Sequence, residues 1–236
     1  MTGFREVAPH VRQICFRLPG TDVRHPHPDM APGQPLRLGS REAEALAEVL
    51  QVFACGEESA AIAFAHLAGT SADAPVRDAL SVIAAEETAH EALLRGLRSG
   101  LPEPARDRVL RRTLVRYYHG LAQDDPGRHL GGITSLDSAV CTIIAALLRP
   151  GAPLAREPRV AAAFGRIRRE EAGHVRLSRR LAVDLSGREA LGAVAERTRL
   201  GLVQVLALRG GAFDVLGADP DRLFAELRRT PPGLFA

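Results

Sequence analysis

The chain has 236 residues, 46% of them hydrophobic and 25% charged, with a formal net charge of only +3, which suffices for one sizeable core without requiring several domains. All 31 basic residues are Arg, interspersed with 28 acidic ones, a balance that argues against a dedicated nucleic-acid binder. The three cysteines, Cys15, Cys55 and Cys141, are far apart with no Cys-x-x-Cys pair, which argues against a zinc knuckle or a disulfide framework.

Residues 1–38 are rich in Pro and Gly and hold no steady helical period, so an arm or cap is expected there. Its His25-Pro26-His27-Pro28-Asp29 run has the composition of a metal motif, but Pro on both sides makes an exposed turn the simpler expectation. No apolar run at the N-terminus suits a signal peptide, and the longest apolar stretch near the end, Leu200 to Leu208, is far short of a membrane span. A cytoplasmic location without membrane is therefore expected.

Ser40 reads as an N-cap, and the helix it opens runs to about Leu67. Leu46, Leu50, Phe53, Ala60, Phe64 and Leu67 form its apolar face, and Glu57 falls on that same face. A second helix spans about Asp73 to Leu97. Val76, Leu80, Ile83, Leu94 and Leu97 make its stripe, with Glu87 and His90 inside it. A third covers about Arg106 to Ala122, followed by a loop at Asp124-Asp125-Pro126-Gly127. The fourth runs from about Ile133 to Leu148, with Asp137 and Cys141 on a stripe of Ile133, Val140, Ile144 and Leu148. A long fifth helix spans about Pro158 to Leu185, with Val160, Phe164, Ile167 and Leu181 inward and Glu171 and His174 again in the stripe. Ser186-Gly187 closes it, and two further helices are expected at about 188–209 and 219–229.

A carboxylate on an apolar stripe is costly to bury unless it is paired or binds a cation. Here the pattern recurs at Glu57, Glu87, Asp137 and Glu171, each on a different helix, with His90 and His174 one turn beyond two of them. The i, i+3 spacing lets Glu and His reach one point, and carboxylate with imidazole suits iron or manganese. The neighbours Glu58, Glu86 and Glu170 turn about 100° off the stripe, which leaves them to the surface or to orienting a ligating His. Glu57 is preferred to Glu58 on this register.

The segments Gly56-Glu57-Glu58-Ser59-Ala60 leading to Phe64, Glu86-Glu87-Thr88-Ala89-His90 and Glu170-Glu171-Ala172-Gly173-His174 resemble the ferritin-like di-iron carboxylate superfamily. Glu57 lies 30 residues before Glu87, and Asp137 lies 34 before Glu171, each the length of an antiparallel helical step. The resemblance covers about 40–185. It implies an all-α, ferritin-like four-helix bundle with additional C-terminal helices and a Pro-rich N-terminal arm, the whole of 1–236 being one domain (arm 1–38, bundle 40–185, further helices 188–236). It also implies a centre of two Fe, with Mn suited to the same donors. Glu57, Glu87 and His90 would serve one iron and Asp137, Glu171 and His174 the other, with Glu87 and Glu171 able to bridge and all six counted as metal-binding and catalytic. Asp137 stands where the family usually has Glu; His119, Asp124 and Asp125 are the fallback ligands, and a buried helix–helix hydrogen bond is the alternative role for Asp137 itself.

Within that superfamily, the arm and extra helices argue against a storage ferritin. The absence of Trp argues against a radical-generating reductase subunit, and the missing Cys-x-x-Cys domain against a rubrerythrin. The resemblance then implies a non-haem di-iron, O2-dependent oxygenase or oxidase of specialised metabolism acting on a small organic substrate (an amine, an amino acid or a carrier-bound substrate). Its partners would be O2, that substrate and an external electron donor, and a homodimer is compatible. The extra His of arylamine N-oxygenases would fall at Ile167 and is absent. The alternatives are a ferritin- or rubrerythrin-like metal-handling or peroxide-scavenging protein, a tRNA-hydroxylase-like enzyme that uses Arg166, Arg169, Arg176 and Arg180, and a helical module whose Glu-x-x-His pairs are only salt bridges. An open apolar pocket beside the metals would favour the oxygenase, and Arg partners on Glu87 and Glu171 the module.

Overall fold

A computed structural model describes residues 36–235, so Cys15 and the His25–Asp29 run lie outside the described residues. The described chain is a helical bundle of seven helices: α1 (Ser40–Thr70), α2 (Ala74–Arg98), α3 (Arg108–Leu121), α4 (Pro126–Leu147), α5 (Pro158–Ala207), α6 (Gly210–Val215) and α7 (Pro220–Leu227). Asp73, Asp107, Asp125 and Asp219 each accept a backbone N–H in the first turn of the helix they precede, which satisfies donors the helix itself cannot pair.

Two expectations shift here. Ser40 lies inside α1, and Gly39 precedes it, its N–H donating to Glu42 Oε2 at 2.9 Å. More consequentially, α4 begins at Pro126 and not near Ile133. Asp125 is its cap, accepting from the Arg128 N–H at 2.7 Å, and Pro126 occupies the first turn, where no N–H is needed. Gly127, read as part of a loop, serves close packing instead, since a Cβ there would lie 2.8 Å from Leu185 Cβ; at Gly131, one turn on, a Cβ would lie 2.7 Å from Leu191 Cδ2. The short α6 was not anticipated.

α5 bends back on itself at Gly187, whose φ of 72° and ψ of 157° suit only glycine. It is therefore two helical arms, as expected from Ser186-Gly187. Leu181 and Leu191, on either side of the break, share one apolar cluster, while Ile167 and Leu202 share the other.

Those two clusters reveal the chain directions. One holds Phe53, Leu94, Ile144 and Ile167; the second holds Phe64, Ile83, Ile133 and Leu181. Thus α1 and the first arm of α5 pass from the first cluster to the second, and α2 and α4 pass back. Glu57, Glu87 and Glu171 each fall between the two clusters on their own helix, and Asp137 lies at the edge of the first, next to Leu136 and one turn beyond Ile133 of the second. The bundle consequently carries a buried polar layer between two apolar ones.

Among the described residues α4 alone has the length and apolar character to cross a membrane, and 67% of that stretch is buried inside the bundle. Among the described cysteines, Cys141 is free.

Candidate metal centre

The polar layer is assembled from four helices. α1 brings Glu57, α2 brings Glu87 and His90, α4 brings Asp137, and the first arm of α5 brings Glu171 and His174, all of them buried. Donor atoms of Glu57, Glu87, His90 and Glu171 lie within 4.8 Å of one another, as do those of Asp137, Glu171 and His174. Glu171 belongs to both groups.

Each histidine turns one ring nitrogen inward. His90 Nδ1 lies 3.3 Å from Glu57 Oε2, 3.4 Å from Glu87 Oε2 and 3.5 Å from Glu171 Oε1. His174 Nδ1 lies 3.0 Å from Glu87 Oε1 and 3.6 Å from Glu171 Oε2. The outward nitrogens cross the bundle: His90 Nε2 meets Glu170 Oε2 at 2.7 Å, and His174 Nε2 meets Glu86 Oε2 at 2.8 Å. Glu86 precedes Glu87 on α2 and Glu170 precedes Glu171 on α5, so each hairpin supplies the carboxylate that orients the other's histidine. Phe64 places its ring edge-on to His174 at 6.1 Å. Ser178 donates to the His174 carbonyl at 2.6 Å and accepts from Thr134 at 2.9 Å.

Several of these atoms have no hydrogen-bond partner although they are fully buried: both oxygens of Glu87, Asp137 Oδ2, Glu171 Oε2 and His174 Nδ1. The His174 Nδ1–Glu87 Oε1 approach is close enough for an ion pair but misaligned for a hydrogen bond. Leaving so many buried acceptors unmatched costs free energy, and a cation among them would remove that cost. The Glu/His cluster can hold a metal ion, and its oxygen and imidazole donors suit a divalent one.

Protonation shows the same demand. Burial pushes the Glu57 carboxyl well above the usual range, against the hydrogen bond from His90. Burial does the same to Asp137, aided by the charges of Glu171 and Glu87. Burial also acts on Glu87, but the His174 and His90 rings beside it outweigh that and hold the carboxyl at about 2. Burial would lower both histidines; the adjacent carboxyls of Glu171, Glu57 and Glu87 raise His90 instead, and those of Glu171 and Glu87 raise His174 to about 11. Without a metal, protons on the histidines supply the positive charge.

Comparison with protein-family models, with curated proteins and with solved structures finds no match.

The structure brings together all six residues singled out in the sequence and places Glu58 outside the cluster. Asp137 joins it, and the fallback residues His119, Asp124 and Asp125 do not. Asp125 caps α4 and accepts from Ser186 at 2.7 Å. Among the described residues no Arg meets Glu87 or Glu171; their charged neighbours are the two histidines and each other's carboxylates. Arg166 instead pairs with Glu170 at 3.0 Å.

A cavity of about 30 Å³ adjoins the cluster on the side away from the histidines, room for roughly two water molecules. Glu57, Glu87, Asp137 and Glu171 edge it, and the other walls are apolar side chains of α1, α4 and the second arm of α5, with Tyr118 of α3. Tyr118 was not anticipated as part of the site. Cys141, considered as a lining residue, is not part of the wall; its Sγ lies 3.7 Å from the Arg168 carbonyl, and burial pushes the thiol up to about 12.

Proposed function

We propose that the chain is a ferritin-like di-iron carboxylate protein, an O2-dependent oxygenase or oxidase acting on a small organic substrate. The observation that carries this reading is the convergence of six buried Glu, Asp and His side chains, four of which (Glu87, Asp137, Glu171 and His174) turn in atoms that lack hydrogen-bond partners. Glu57, Glu87 and His90 would hold one ion and Asp137, Glu171 and His174 the other, with Glu87 and Glu171 set between them. A pair of ferrous ions held there would supply electrons for the reduction of O2. Manganese suits the same donors.

The protein's own contribution is positional. Glu86 and Glu170 hold the histidine rings with Nδ1 inward. The apolar layers on both sides keep bulk water out, and the cavity leaves one face of the cluster accessible to a small molecule.

A specific observation supports a second reading, a metal-handling or peroxide-scavenging protein with no organic substrate. At about 30 Å³, the cavity admits O2 or hydrogen peroxide but no organic molecule of several carbons unless its walls move. One experiment separates the two. The protein is loaded anaerobically with ferrous iron, bound metal is counted, and O2 uptake is followed with and without candidate amines and acids. Two irons per chain with substrate-dependent uptake supports the oxygenase; two irons with uptake indifferent to substrate supports metal handling. No stoichiometric iron overturns both.

A further inference from the structure

Two glycines in helix interiors accommodate the adjacent tyrosines of α3. A Cβ at Gly56, on α1 beside Glu57, would lie 3.0 Å from Tyr118 Oη. A Cβ at Gly201, on the second arm of α5, would lie 2.9 Å from two ring carbons of Tyr117. Interior glycine weakens a helix by about 1 kcal/mol relative to alanine, so both helices are locally weakened where the tyrosines pass. The rings meet edge to face at 5.0 Å.

The two hydroxyls differ in what they meet. Tyr117 donates to the Thr198 carbonyl at 3.1 Å, which accounts for it as a structural link from α3 to α5. Tyr118 is the more buried of the two, yet among the described residues no hydrogen-bond partner acts on its hydroxyl; burial and the Glu57 charge keep it protonated. It lines the cavity, and the remaining walls apart from the four carboxylates are apolar, among them Val52, Val140 and Leu206. A buried O–H without an acceptor is costly, and here it borders the space a ligand of the cluster would enter.

We propose that Tyr118 is a ligand-binding residue, the hydrogen-bond donor to whatever small molecule occupies the cavity, and that the occupant carries an acceptor atom toward α3 and is otherwise compact and apolar. This rests on the metal-centre reading above. Once they hold cations the carboxylates are ionised and only accept, and the apolar walls do neither, so Tyr118 alone can then donate from the wall to an acceptor. Gly56 permits that placement by letting the phenol lie against α1.

The probe is azide, a small anion with acceptor atoms at both ends, titrated into the iron-loaded, air-oxidised protein and followed by visible absorbance. Iron is counted for each variant. Tyr118→Phe keeps the ring and the iron stoichiometry and binds azide about tenfold more weakly, the loss of one hydrogen bond. Gly56→Ala, which displaces the hydroxyl while leaving the phenol intact, weakens azide similarly. Tyr117→Phe leaves the affinity unchanged. Iron loading with equal azide affinity in wild type and Tyr118→Phe, or with no azide binding at all, overturns the role of Tyr118 and leaves the metal centre standing. Absence of stoichiometric iron in the wild type overturns both.

Discussion

His90 on α2 and Glu170 on α5 are 80 residues apart in the chain, and the His90 Nε2 to Glu170 Oε2 distance is 2.7 Å. His174 and Glu86 repeat the relationship in the opposite direction at 2.8 Å. Because each hairpin orients the other's histidine, the two hairpins are joined at the cluster by polar contacts as well as by the apolar layers.

Removing one of these outward partners tests what they do. Glu170→Ala is expected to keep the metal stoichiometry but weaken affinity about 10- to 100-fold, read by competition with a chelator of known affinity. Unchanged affinity would show that the His90 ring is held by packing alone.

Glu171 is the donor common to both groups. Glu171→Ala should lose one of two metal ions and abolish O2 uptake. Glu58→Ala, outside the cluster, should retain both ions, with stability changed by no more than about 0.5 kcal/mol. Full iron occupancy and normal turnover in Glu171→Ala would refute its assignment.

Metal binding should release protons. In the metal-free protein His174 keeps its proton to about 11 and His90 is also raised, while ligating imidazole must be neutral. At least two protons therefore leave on full loading, so log affinity should rise by about two or more per pH unit through neutrality. The stability of the metal-free protein runs the other way. A raised histidine pKa contributes stability that is fully present below the ordinary value of about 6.5 and is lost as pH rises toward about 11. The raised Glu57 and Asp137 likewise favour the protonated fold and lose stability above the usual carboxylate range. Thermal unfolding at pH 6 and pH 9 should show a metal-induced gain in Tm that grows with pH; a gain that shrinks would contradict the donor set.

The break in α5 is the simplest fold test. Gly187→Ala places a side chain at φ 72° and ψ 157° and should cost about 1–3 kcal/mol, measured by denaturant unfolding. A neutral result would mean that the two arms can meet in another backbone conformation.

Much of this protein is determined locally and was legible in the sequence for that reason. Helical periodicity put Glu57, Glu87, Asp137 and Glu171 on apolar faces, because a 3.6-residue repeat decides which side chains share a face whatever the helix packs against. The i, i+3 spacing likewise paired each Glu with its His, and Ser186-Gly187 marked the turn in α5. The start of α4 was misplaced because Asp-Pro-Gly serves a loop and a capped helix equally well, and only the close approach of Leu191 explains the glycine at 131. Three features were decided by tertiary structure. Glu86 and Glu170 leave their own stripes by about 100°, so their partners depend on where the opposite hairpin lies. Asp137 joins the cluster because α4 runs close enough for its shorter side chain. Tyr118 reaches the cavity because α3 crosses a gap at Gly56, a relation between residues 62 positions apart that no local pattern encodes.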